Sequence, residues 1–97
     1  MNQSEKSALQ FEEVFSSKGR SRIIKILAKY GELNISKIVK KAQLNHNNVE
    51  RHLDALSTTG LIQEKNFGRI RVFRYKNENL LAKAVKELIS FWDEWNE

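Results

Sequence analysis

The chain has 97 residues, 40% apolar and 30% charged, and carries a net charge of +5. This balance fits a single globular domain over 1–97 and excludes the composition of a disordered chain. The absence of cysteine excludes disulfides and thiolate metal sites.

Residues 1–6 are polar and are expected to fray. Met1 to Gln10 lacks the apolar run of a signal peptide, and no stretch approaches the roughly 18 consecutive apolar residues of a membrane span. A cytoplasmic protein is therefore expected. Ala8, Phe11, Val14 and Phe15 recur at helical spacing and predict a short helix over 7–16. Ser17-Lys18-Gly19 is expected to interrupt it. A second helix runs from about Arg20 to Tyr30, with Ile23, Ile24, Ile26 and Leu27 on its apolar face, and Gly31 suits its C-terminal cap. Leu33-Asn34-Ile35 reads as short and extended. Either Asn34 or Ser36 can cap the next helix, which reaches about Ala42 and turns Ile35, Ile38 and Val39 inward.

Gln43-Leu44-Asn45 reads as a turn, and Asn45 as the N-cap of a helix from His46 to about Thr58. Val49, Leu53 and Leu56, spaced four and three apart, are its buried positions. Gly60 closes it. The period then changes to two. Leu61 to Lys65 and Ile70 to Lys76 read as paired strands around a turn at Asn66-Phe67-Gly68-Arg69, with Phe73 and Tyr75 facing the core. Asn77 or Asn79 caps a last helix that fills 78–95. The chain is thus read as mostly α with a small β-hairpin. The order helix, helix, turn, helix, hairpin over 20–76 is that of a winged helix-turn-helix, with a further helix at each end.

Charge is unevenly spread. Lys18 to Lys76 holds 14 Lys/Arg against 4 Asp/Glu, a balance of +10, while the two flanks together carry −5. A basic middle between acidic ends is what a phosphate-facing module looks like when its ends serve another purpose. In the middle lies the run Leu44-Asn45-His46-Asn47-Asn48-Val49-Glu50-Arg51-His52-Leu53-Asp54-Ala55-Leu56-Ser57-Thr58-Thr59-Gly60-Leu61-Ile62. It resembles the recognition segment of ArsR-like winged-helix repressors: a polar cap, then Val, Arg-His-Leu, Leu and Gly-Leu-Ile. The resemblance extends from about Arg20 to Tyr75. It implies a transcriptional regulator that binds double-stranded DNA, acts as a repressor and works at the nucleoid.

The residues support the same reading physically. A helix fits the major groove, and its first turns can present polar groups to base edges. Here those positions are Asn45, His46, Asn47, Asn48, Glu50 and Arg51. Asn pairs well with adenine, and Arg with guanine or a phosphate. Glu50 departs from the resembling pattern. A carboxylate near phosphates is unfavourable unless it accepts from cytosine or pairs with Arg51 or a Lys. His52, between Val49 and Leu56, reads as a partly buried packing residue.

The hairpin supplies Lys65, Arg69 and Arg71 as the wing's contacts to the backbone or minor groove, with Phe67 at the tip, either against sugars or folded back on the strands. Lys37, Lys40 and Lys41 can reach phosphates or form a solvated face. Leu81, Val85, Leu88, Trp92 and Trp95 follow a heptad seam, widened by Leu80, Ala84, Ile89 and Phe91. A stripe this wide fits two partners, the domain and a second subunit. With Phe11 and Phe15 it forms the expected homodimer interface, as terminal helices do in the resembling family.

Other readings are weaker. No phosphate-binding Gly-rich loop, HExxH or nucleophile elbow is present, so no enzyme is expected. His46 and His52 lie six apart and do not share a metal-binding face. The resembling family senses metals through Cys, or through Asp and His on its last helix. This chain offers Asp93, Glu94 and Glu97 there without His, so neither metal nor cofactor is expected. The alternative is a winged-helix protein-interaction module in a larger complex, for which the two Trp and the acidic tail are suited.

Overall fold

The computed structural model describes residues 9–95, apart from the side chain of Trp95. The expected fraying over 1–6, the helix start at 7, the Trp95 contact and the acidic Glu97 lie outside the described residues. The elements are α1 (Phe11–Phe15), α2 (Lys18–Tyr30), β1 (Glu32–Asn34), α3 (Ile35–Ala42), α4 (His46–Ser57), β2 (Ile62–Phe67), β3 (Ile70–Tyr75) and α5 (Leu80–Trp95).

Local chemistry sets most boundaries. The side chains of Ser17, Asn34, Asn45 and Asn79 accept the backbone N–H of Arg20, Lys37, Asn48 and Ala82 at 3.1, 2.9, 2.8 and 3.0 Å, satisfying donors that a helix start leaves without partners. Asn34, not Ser36, is therefore the cap of α3, and Asn79, not Asn77, that of α5. Gly31 ends α2 at φ 86° and donates to the Leu27 carbonyl at 2.8 Å. At the C-terminal end of α3, where carbonyls are left over, Arg22 Nη1 donates to the Ala42 carbonyl at 2.7 Å.

Gly19 was expected to break the chain and instead lies within α2. The interruption is confined to Ser16 and Ser17. A Cβ at Gly19 would stand 3.1 Å from both His52 Nε2 and Leu44 Cδ1. The glycine thus serves the approach of α2 to α4 and its preceding turn.

The sheet is antiparallel and three-stranded, in the order β1-β3-β2. The sequence reading had two strands. The third, β1, is three residues long, too short for alternation to show, and exists because Leu33 comes opposite Phe73. The hairpin turn is also tighter than expected. Phe67 pairs with Ile70, which leaves a two-residue loop of Gly68 and Arg69. Gly68 has φ 62° and Arg69 a negative φ, the pattern of a type II′ turn.

One core joins these elements. Ile23, Leu27, Ile38, Val49, Leu53, Leu56 and Phe73 are wholly buried, and Tyr75 nearly so. Each such side chain contributes about 1.5–3 kcal/mol on leaving water. The Tyr75 hydroxyl donates to the Ala82 carbonyl at 2.6 Å and ties β3 to α5. Burial pushes this phenol up to about 12.

Candidate nucleic-acid interface

With Val49, Leu53 and Leu56 turned into the core, the opposite face of α4 is left to solvent. His46, Asn47 and Arg51 are exposed there, and Asn48 and Glu50 are half-buried. Asn45 is committed to capping. Asn48 accepts a hydrogen bond from Arg51 Nη2, which holds the two side chains together on the first turns. His52 points the other way. Its Nδ1 accepts from Arg20 Nε at 3.3 Å, and Arg20 Nη1 also donates to the Glu13 carbonyl at 2.7 Å. Desolvation, together with Arg20 and Arg51 nearby, lowers the imidazole pKa below its usual value, so His52 packs as a neutral ring.

The hairpin brings its three expected cations to three different situations. Arg69, at the turn, is exposed and makes no hydrogen bond or ion pair among the described residues. Lys65 lies 3.3 Å from Glu32 of β1, with its ammonium 5.6 Å from the centroid of the Phe67 ring. Arg71 turns back toward α4. Its Nε and Nη2 bind Glu64 at 2.7 and 3.1 Å, its Nη1 binds Glu50 at 2.6 Å, and its Nη2 binds Asp54 at 3.2 Å. The Arg71 hydrogen bonds hold the Glu64 carboxyl below the usual carboxylate range, against the opposing effect of burial. Glu50 thus finds its cation in Arg71, not in the expected Arg51 or a Lys.

This cluster is what the sequence reading missed, yet two signals for it were present. Glu50 and Asp54 are four apart on one helix flank and call for a cation. The same alternation that turns Phe73 and Tyr75 to the core puts Arg71 on that side of the sheet too. Phe67 closes the ladder at 56% exposure beside Ile70 at 55%, and is not folded into the core. On α3, Lys37, Lys40 and Lys41 are all exposed, and the Lys41 ammonium lies 4.2 Å from the centroid of the Tyr30 ring.

The terminal helices form a different surface. Ala82, Val85 and Ile89 pack α5 on the core, so Val85 does not line its outer face. Leu80, Leu81, Leu88, Phe91 and Trp92 are 54–83% exposed. At 3.6 residues per turn these five cover about 120° of the helix beside the buried stripe. Phe15 joins Leu88 and Trp92 in lining a groove of about 480 Å³. Phe11 is 75% exposed, with its ring centroid 4.9 Å from that of Phe15. Among the described residues no cluster of His, Asp or Glu side chains has the form of a metal site, and no helix is long and apolar enough to cross a membrane.

A three-helix core with α3-turn-α4 at its centre and a β2–β3 hairpin beside it defines a winged helix-turn-helix protein. Residues 17–64 match the arsR family of bacterial regulatory proteins, and the chain belongs to that family of DNA-binding transcriptional regulators, which are not enzymes. Solved structures that share the fold include three bacterial proteins. The homodimeric winged helix-turn-helix DNA-binding domain of a possible ArsR-family regulator from Mycobacterium bovis is 21% identical, with 84% of this chain and 73% of that one covered and a TM-score of 0.69. HlyU from Vibrio cholerae is 19% identical over 92% and 94%, with a TM-score of 0.71. The transcriptional repressor PagR of Bacillus anthracis is 18% identical over 79% and 85%, with a TM-score of 0.67. No curated protein matches the sequence.

Proposed function

We propose that the chain is a homodimeric repressor that reads a pseudo-palindromic operator with α4 and grips the flanking backbone with its wing. The observation that carries this is the division of α4. One face is wholly buried, while the other exposes His46, Asn47 and Arg51 beside a wing whose turn presents Arg69. Asn47 and Arg51 are the base readers. Asn45 and Asn48 hold the helix start, and Arg51 is steered by Asn48. Arg69 meets phosphate or a narrow minor groove, with Phe67 and Lys65 beside it, and Lys37, Lys40 and Lys41 extend the phosphate contacts.

The dimer is formed by Phe11, Phe15, Leu81, Leu88 and Trp92. Soluble monomers rarely leave so much contiguous apolar surface in water, and the similar Mycobacterium bovis domain is homodimeric. Asp93 and Glu94 keep this end away from phosphates. Two-fold symmetry sets the two α4 helices about one DNA turn apart, roughly 34 Å. Repression follows from occupation of the operator, and the similar PagR is a repressor.

Selection of bound sites from a random duplex pool, followed by gel retardation over a salt series, tests the reading. Enrichment of an inverted repeat and a steep inverse salt dependence are expected. Failure to retard any duplex at low salt would leave the interaction-module reading in its place.

A further inference from the structure

The cluster around Arg71 lies between the two elements proposed to meet DNA. Three carboxylates and one guanidinium give it a net charge of −2, a poor arrangement for touching phosphates. The guanidinium is nearly saturated. Four of its five N–H groups already donate, to Glu64, Glu50 and Asp54. Only one N–H, on Nη1, is left for a phosphate, and it lies beside three carboxylates that would repel one.

The outer hairpin needs an anchor. Asn66, Phe67, Gly68, Arg69 and Ile70 are all exposed, so no core packing fixes the angle of this stretch, and a lone two-stranded ribbon is only marginally stable. Among the described residues, every hydrogen bond and ion pair between the hairpin and α4 runs through Arg71, two positions beyond the turn. The bidentate bond to Glu64 fixes the guanidinium plane on β2, and Glu50 and Asp54 then fix α4 against that plane.

We propose that Arg71 is a positioning residue, which ties the wing to the recognition helix through Glu50 and Asp54, sets the angle at which both meet DNA, and does not itself contact DNA. This rests on the operator-binding reading above. It gives Glu50 a role opposite to that of a merely repelling charge, and the two roles predict opposite signs.

The test is Glu50→Gln, an isosteric change at a half-exposed position. Losing a negative charge near phosphates should by itself tighten binding. As a positioning defect, the variant instead binds the selected operator about fivefold more weakly, with an unchanged salt slope on random duplex. Amide exchange over 66–71 becomes faster, and Glu50→Gln adds little further loss when combined with Arg71→Lys. Tighter or unchanged operator binding, or unaltered exchange of the wing amides, would overturn the proposal. So would a salt slope about one unit lower in Arg71→Ala, which would make Arg71 a phosphate contact. Failure of the DNA reading itself looks different: wild type and Arg69→Ala would then be equally poor on every duplex. The exchange measurement still decides the tie in that case.

Discussion

The α4–wing side and the terminal-helix side both expose what the core leaves over, but water treats them differently. On the first, apart from Phe67 and Ile70 at the wing tip, exposed groups are polar or charged, and several find partners within the chain while Arg69 has none among the described residues. Arg71 collects three carboxylates, Arg51 donates to Asn48, and Lys65 lies beside Glu32. On the second, Leu80, Leu81, Leu88, Phe91 and Trp92 stand more than half exposed along one helix. A polar surface is stable alone and selects a partner by matching charge and hydrogen bonds. An apolar surface is incomplete alone and is stabilised by any partner that covers it. The contrast fits the proposal of a polyanion on one side and a second copy of the chain on the other.

The largest effect should come from the apolar side. Leu88→Glu with Trp92→Glu, at positions 58% and 65% exposed, should leave the far-ultraviolet spectrum close to wild type, with melting lowered by the lost subunit association. Sedimentation equilibrium at micromolar concentration should change from twice the chain mass to the single mass. Operator affinity should fall by about a hundredfold or more, because each half-site then binds unaided. A wild-type chain that is monomeric and still binds tightly would erase the comparison.

On the polar side, Asn47→Ala and Arg51→Ala should each cost roughly 1–3 kcal/mol on the selected operator and much less on random duplex. Equal losses on both would turn them into phosphate contacts. Arg69→Ala should weaken binding to every sequence and lower the salt slope by about one unit. An unchanged slope would move the wing off the DNA.

The smallest effect concerns the link between the two sides, the Tyr75 hydroxyl on the Ala82 carbonyl. Tyr75→Phe should cost about 1 kcal/mol of stability at neutral pH. The folded phenol keeps its proton to about 12, whereas the unfolded one loses it near 10. Wild-type stability should therefore fall as pH rises from 10 to 12, and denaturant titrations of Tyr75→Phe should lack that share of the decline. Parallel alkaline limbs would place the titration elsewhere.

Several features were legible in the sequence because their causes are local. Asn45 before an apolar period of four and three announced α4, and alternation at Phe73 and Tyr75 announced the buried face of β3. Gly31 after Tyr30 announced the end of α2. The boundary at Gly19 misled for a physical reason: its propensity argues for a break, and packing against His52 and Leu44 overrides that. The heptad seam on α5 was visible as a stripe. Its division into Val85, which faces the core, and Leu88 and Trp92, which face outward, was not. One helical period serves both faces, and the line between them depends on where α2 lies.

The sequence by itself determined the order of the helices and the hairpin, the cap of α4 at Asn45, the basic middle and the polar first turns of α4, since each depends on residues within a few positions of one another. Tertiary structure alone decided which partner each charge meets. Arg69 and Arg71 are two residues apart and alike in composition, yet one stands at an open turn and the other lies among Glu50, Asp54 and Glu64. The difference comes from the turn, which leaves Arg69 outside the ladder, and from the docking of β2 on α4, which brings together groups 7 to 21 positions apart. Coulomb interactions and hydrogen bonds act over a few ångströms of space, and separation along the chain does not report that distance until the fold has closed it.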